Sequence, residues 1–335
     1  MTTTNTASAS ASHIDGEVSG AKPVIADKRP SSEAALVYAF VLIPTLALIA
    51  AVPLAWGWGL SWLDVGLAVA FYLVSGFGVT VGFHRYFTHR AFKARKALRN
   101  GLAIAGSLAM QGDVVMWVAD HRRHHAFTDK EGDPHSPWLF GRTPLALVRG
   151  FFHAHLGWMF NRDVTNVGRF APDLRSDRDI VRIGRLFPLW ALITFLTPAL
   201  IGGVATMSWW GAFTALVWAG LVRVAVLHHV TWSINSICHM IGDRPFASRD
   251  KAANFWPLAI LSMGESWHNS HHADPTCARH GVLPGQIDIS ARVIWIFERL
   301  GWVCDVRWTN PARLARLTTT DRTRHRDTPN EELTP

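Results

Sequence analysis

The chain alternates between long apolar runs and long polar segments, and the runs set the first expectations. Ala34 to Trp62 holds no charged residue, Asp64 interrupts, and Val65 to Phe83 adds 19 more uncharged positions. Leu186 to Val222 is a third uncharged run, of 37 residues. A helix of about 20 apolar residues crosses about 30 Å of hydrocarbon, so the first two runs predict one crossing each and the third predicts two. The expected fold is an all-α integral membrane protein with helices over about 34–56, 62–83, 186–206 and 208–230, paired as two hairpins. Long buried helices of a soluble bundle would not stay free of charge for this length. The polar segments at about 84–185 and 231–308 predict a helical cap, which completes one domain over 34–308. Residues 1–33 and 309–335 are small, polar or Pro-interrupted, and are expected to be disordered tails. The first run begins too late and extends too far for a cleaved signal peptide. Two uncharged stretches, Asn100–Gly112 and Ala252–Gly264, are 13 residues each. Both are too short to span, and predict helices at the interface or inside the cap.

Charge adds a direction to this layout. Of 33 Lys and Arg, three precede residue 34, 17 lie between Arg85 and Arg185, 12 follow residue 231, and Arg223 stands alone near the end of the fourth run. The two hairpin loops hold none, so the positive-inside rule predicts cytoplasmic termini and a cytoplasmic (cytosolic) cap; the expected location is a bacterial plasma membrane. The net charge of +8 then describes an orientation rather than a nucleic-acid partner, and suits lipid head groups or the phosphates of a substrate carrier. A mean hydropathy of +0.13 conceals all of this by averaging anchor and cap. Three Cys exclude a disulfide scaffold and an iron–sulfur centre held by four thiolates.

The 17 His are not scattered. His84 and His89 (HRYFTH) end the second run, and His121, His124 and His125 (HRRHH) lie in the first polar segment. His239 (NSICH) follows the fourth span, and His268, His271 and His272 (HNSHH) come near the C-terminal end. Positions i, i+3 and i+4 share a helix face, so each HxxHH group is expected to aim three imidazoles at one place. Nine nitrogen donors are too many for one ion and suit two, of a metal that accepts imidazole such as Zn, Cu, Fe or Ni. A metal transporter would hold its ligands at mid-bilayer, and a haem would leave both triplets unexplained. Asp113, Asp120, Glu265 and Asp274 are candidate carboxylate partners for these rings, Asp120 and Glu265 foremost. His135, His153 and His155 read as supporting or cap residues, and His228 and His229 as interface anchors; nothing singles out His280.

These motifs resemble the membrane fatty acid desaturase family, in its acyl-CoA (stearoyl-CoA type) Δ9 branch. The resemblance extends to QGDVVMWVADHRRHH (111–125), GDPHSP (132–137), GFFHAHLGW (150–158), TWSINSICH (231–239) and GESWHNSHH (264–272), and covers about 35–305. It implies four transmembrane helices under a cytosolic cap, with two irons held by His84, His89, His121, His124, His125, His239, His268, His271 and His272. Asn235 matches a residue that holds a metal-bound water. The implied reaction uses O2 as co-substrate and two electrons to place a cis double bond in a long-chain saturated acyl thioester, acyl-CoA in this branch. The resemblance also places an acyl tunnel beside Gln111, Trp117, Thr231 and Trp232, with Tyr72 and Gly76 limiting chain length and Gly76 leaving room for a long tail. Asp120 and Arg162 match positions at the carrier end. Other carrier contacts differ, with Ala119, Asp163 and Ser31–Ser32–Glu33 where that branch has basic or amide residues. CoA, acyl carrier protein and lipid therefore remain alternative carriers, and hydroxylation or acetylene formation remain alternative outcomes on the same scaffold. The chain holds no cytochrome b5-like His-Pro-Gly-Gly segment and too few Cys for a ferredoxin, so a separate donor of ferredoxin or cytochrome b5 type, fed by an NAD(P)H reductase, is expected to supply electrons.

Overall fold

A computed structural model describes residues 22–55 and 59–318. Strand β1 (Ile25–Lys28) leads into helix α1 (Ser31–Ala55), and α2 (Trp62–Thr88) follows. A short strand β2 (Lys93–Ala94), helix α3 (Lys96–Ser107), helix α4 (Val114–Phe127), helix α5 (Pro144–His155) and strand β3 (Asp163–Thr165) come next. Helix α6 (Arg178–Arg185) precedes α7 (Phe187–Thr206) and α8 (Trp209–His239). The C-terminal part carries α9 (His268–Ala273), α10 (Ile289–Arg299) and strand β4 (Val303–Cys304). Each pair of strands is antiparallel, β1 with β3 and β2 with β4.

Helices α1, α2, α7 and α8 are long and apolar enough to cross a membrane. The charge that interrupts the first two runs starts α2: the Asp64 carboxylate accepts from the Ser61 N–H at 2.9 Å, and the Ser61 hydroxyl oxygen accepts from the Asp64 N–H at 3.2 Å. This capping box satisfies two amides that hydrocarbon would leave unpaired. Thr214 of α8 donates to the same carboxylate at 3.2 Å. Helices α7 and α8 pack closely where Gly202 faces Gly211 and Ala215, the small-residue contact that membrane helices use in place of a hydrophobic drive. Helices α1 and α2 each pack on α8. Arg223, the basic residue of α8, is buried and donates to the carbonyls of Ala219 (3.0 Å) and Leu108 (3.1 Å) and to the Thr194 hydroxyl (2.8 Å). It thereby ties the end of α3 and the middle of α7 to α8.

Several boundaries differ from the sequence expectation. Helices α2 and α8 run past the apolar limits at 83 and 230, to Thr88 and His239, because their last turns are buried in protein rather than exposed to lipid. Of the two short uncharged stretches, the first largely coincides with α3, but 252–264 forms a 3-10 turn at Trp256–Leu258 followed by tight turns. Residues 22–33 and 309–318, assigned to tails, include β1, the start of α1 and a helical turn at Pro311–Leu317; the rest of both tails lies outside the described residues.

Candidate metal centre

The end of α2 solves a spacing problem. In an α-helix, residues i and i+5 are about 140° apart, so His84 and His89 would face different ways. The chain over Gly78–Thr88 is instead wound as a π-helix, with the His89 N–H donating to the His84 carbonyl at 3.1 Å. The wider turn brings the two rings to 4.9 Å. π-turns of this kind concentrate at functional sites. Helix α4 begins at Asp113, whose carboxylate accepts from the Val115 and Met116 amides at 2.9 and 3.1 Å, and it carries His121, His124 and His125 inward. His239 closes α8, and α9 carries the last three.

The nine rings form two groups, and the groups do not follow the motifs. His84, His89, His121, His125 and His271 make one; His124, His239, His268 and His272 make the other. Within each group the ligand atoms all lie within 4.8 Å of one another. Neither HxxHH triplet aims at one place. Positions i and i+4 of each helix serve one group and i+3 serves the other, because i+3 and i+4 are about 100° apart around the axis. Helices α4 and α9 exchange their odd residue: His124 joins His268 and His272, and His271 joins His121 and His125.

The donor chemistry fits two metal ions. Nε2 atoms face each other at 3.1 Å for His84–His271, 3.1 Å for His121–His125, 3.0 Å for His125–His271, 3.1 Å for His239–His268 and 3.0 Å for His268–His272. Nitrogens that share an ion at about 2.1 Å stand about 3 Å apart at right angles. Nε2 of His89 and of His124 is buried without a hydrogen-bond partner. Burial, reinforced by the neighbouring imidazoles, holds His89, His121, His125, His268, His271 and His272 well below the ordinary histidine range, which keeps them neutral, as a ligand must be.

Four rings are oriented from behind by carboxylates. Nδ1 donates to Glu265 from His84 (2.5 Å), to Asp133 from His124 (3.0 Å), to Asp129 from His239 (3.1 Å) and to Asp250 from His272 (2.8 Å). Burial alone would raise the Glu265 carboxyl, but Arg85, His84 and His280 outweigh it and hold the group well below the usual range. The same opposition, with His124 prevailing over burial, lowers Asp133. Of the carboxylates singled out in the sequence, only Glu265 has this role. Asp120 faces Thr165 and Arg123, and burial pushes it up to about 6. Asp113 caps α4, and Asp274 pairs with Arg313 at 2.8 Å. Asp129, Asp133 and Asp250 were missed. Asp133 lies in the quoted GDPHSP motif, whereas Asp129 and Asp250 reach their rings only through the tertiary fold. His280 was also missed: it is buried, 3.3 Å from Glu265 and ring-to-ring with His271 at 4.5 Å. His135 stacks on His124 at 4.3 Å, while His153 and His155 bond to the Pro134 carbonyl and to His229. His228 is buried against Trp232 and donates to the Ala109 carbonyl at 2.9 Å, so it is a packing residue rather than an interface anchor.

A cavity of about 580 Å³ opens beside the two groups. His84, His121, His268 and Asn235 line it, together with Gln111, Trp117, Asp120, Thr231, Trp232 and Gly76. Trp117 stacks on His121 and donates to Gln111 at 3.2 Å; Gln111 donates to Thr231 at 3.0 Å. Two expected substrate residues stand off the wall. Tyr72 packs beside Leu227 and donates to the Leu261 carbonyl at 2.8 Å, and Arg162 donates to the carbonyl of Arg29, which lies at the cavity. Gly76 does not leave free room, because the Met263 side chain fills the space where its β-carbon would be.

The two histidine groups, the four apolar helices and the cavity define a helical membrane protein with a donor set for two metal ions beside a largely apolar cavity. The chain belongs to the fatty acid desaturase family, whose model matches residues 60–282. It is 42% identical to the hex-5-enoyl-[acyl-carrier protein] acetylenase of Moorena producens (strain JHB), over 79% of this chain and 84% of the relative. It is 36% identical to delta-9 acyl-lipid desaturase 1 of Arabidopsis thaliana, over 77% and 79%, and 37% identical to the acyl-CoA C20 delta5-desaturase of Anemone leveillei, over 74% and 75%.

Proposed function

We propose that this protein is an O2-dependent di-iron desaturase that places a cis double bond, Δ9-type, in a long-chain saturated acyl thioester, with acyl-CoA as the carrier. The observation that carries it is the division of nine imidazoles into two groups beside one cavity, which His84, His121 and His268 line. The reaction balances as acyl thioester, O2, two electrons and two protons giving the monoenoyl thioester and two waters. The irons, when bound, would supply the oxidising power that an unactivated methylene requires. His84, His89, His121, His125 and His271 would hold one, and His124, His239, His268 and His272 the other, with Asn235 holding a metal-bound water. Glu265, Asp133, Asp129 and Asp250 fix ring orientation and raise the basicity of the ligating nitrogens. Trp117, Gln111, Thr231 and Trp232 orient the acyl chain and keep water from the reacting carbons. Asp120 and Arg162 belong to the carrier end, beside Arg29.

The spans form two hairpins with both termini and the cap on the cytoplasmic side, an orientation supported by the basic residues outside the loops. A separate ferredoxin or cytochrome b5-type donor supplies electrons at that face. A second reading, acetylene formation on a chain bound to acyl carrier protein, has support from the acetylenase relative, whose name gives a substrate on that carrier. Expression in a host that lacks monounsaturates, followed by mass spectrometry with double-bond location, tests both. A cis-9 monoene supports the proposal. A triple bond or a hydroxy acid would replace it with the second reading or with hydroxylation.

A further inference from the structure

We propose that Met263 is the stop against which the acyl tail ends, so that the segment leading into α9, rather than the second span, sets the chain length. The inference rests on the acyl desaturase reading above. Met263 lies on the cavity wall with Gly76, Val79, Leu227 and Leu261, and is itself only 2% exposed. A β-carbon at Gly76 would overlap the Met263 terminal methyl and stand 3.0 Å from its sulfur. The missing side chain of Gly76 is therefore a seat for the thioether, not an opening for substrate. Methionine is suited to this task because its unbranched, polarisable chain fills an irregular gap.

The stop is held firmly. Met263 has a left-handed backbone, φ 55°, fixed by its N–H donating to the Ile260 carbonyl (3.0 Å) and its carbonyl accepting from the Ser290 N–H (3.0 Å). The Tyr72 hydroxyl, one turn before Gly76 on α2, ties down the Leu261 carbonyl. Two residues beyond Met263, Glu265 holds His84. One short segment, 261–265, thus carries both Leu261 and Met263 of the cavity wall and the carboxylate that orients a metal ligand. The distance from the reacting carbons to the tail's end is set inside a single rigid turn.

The test uses the full chain with its metal, in membranes, offered a competing series of even-numbered saturated acyl-CoA thioesters. Each methylene that an apolar pocket admits or refuses is worth about 10-fold or more in kcat/KM. Met263→Ala should raise the product ratio of the next longer homologue over the wild-type optimum by at least that factor. Met263→Leu, which keeps the volume, should leave the profile in place, and Gly76→Ala should penalise long chains in the wild type but not beside Met263→Ala. An unchanged profile in an active Met263→Ala protein overturns the proposal. If that variant fails to accumulate, Met263→Gly opens the same space and suits the left-handed backbone. Thermal stabilisation of the purified protein by the same thioesters separates this inference from the functional one. Should the wild type form no unsaturated product, the desaturase reading fails, yet the longest stabilising chain must still be greater in Met263→Ala than in wild type. Equal limits, or no stabilisation of either protein, overturn the role of Met263.

Discussion

His124 and His125 are neighbours on α4 and face different metal groups: His125 Nε2 stands 3.0 Å from that of His271, while the His124 ring packs 5.1 Å from His239. Adjacent helical positions diverge by about 100°, so the HH dipeptide divides its two rings between two centres. Because α9 repeats the division with His271 and His272, each helix holds both groups together.

This division makes single substitutions selective. His124→Ala and His125→Ala should each abolish product while the protein stays in the membrane, and each should lower bound iron from two ions towards one per chain. Metal analysis with a spectroscopic signature of the remaining ion checks this. The two variants should leave different remaining sites. Identical spectra, or retention of both ions, would contradict the assignment of neighbouring rings to separate groups.

Glu265 supports the first group as Asp133 supports the second. Glu265→Gln keeps the shape but weakens the acceptor for His84 Nδ1 and for the buried Arg85, which also contacts Asp288 at 3.0 Å. Loss of such a partner typically costs about 10- to 100-fold in metal affinity or activity. Iron titration of the purified apo-protein should show the weakened ion in the His84 group for Glu265→Gln, and in the His124 group for Asp133→Asn.

Gly264 lies between Met263 and Glu265 and has φ +101°, where a side chain is strained. A β-carbon there would also lie 2.5 Å from the Asp288 carboxylate and 2.9 Å from its α-carbon. Gly264→Ala should cost about 1–3 kcal/mol. A lowered Tm, with reduced iron retention, is the expected result; an unchanged Tm would show that the turn relaxes freely.

The Trp117–Gln111–Thr231 chain links α4 to α8 on the cavity wall. Gln111→Ala breaks both of its bonds, each worth about 1 kcal/mol. Product should fall and the double bond should scatter to neighbouring positions, with iron content unchanged. Double-bond location by mass spectrometry gives the answer, and a single unshifted position would remove these residues from substrate placement.

Much was legible along the chain. Hydrocarbon imposes a minimum length of uncharged residues on any crossing helix, so the four spans follow from local composition and agree with α1, α2, α7 and α8 to within a few residues except where helices leave the lipid. Imidazoles at motif spacing declared all nine candidate ligands, since metal chemistry demands those residue types wherever the fold puts them. Their grouping was decided by tertiary structure alone. Helical spacing describes one helix, whereas each group is assembled from α2, α4 and α9 or from α4, α8 and α9, with the π-turn at 78–88 turning His84 towards His89. Asp129 and Asp250 are ordinary polar residues until folding sets them behind His239 and His272. Gly76 gives the plainest case: in sequence an absent side chain is empty space, and in three dimensions Met263, from a segment 187 positions later, occupies it.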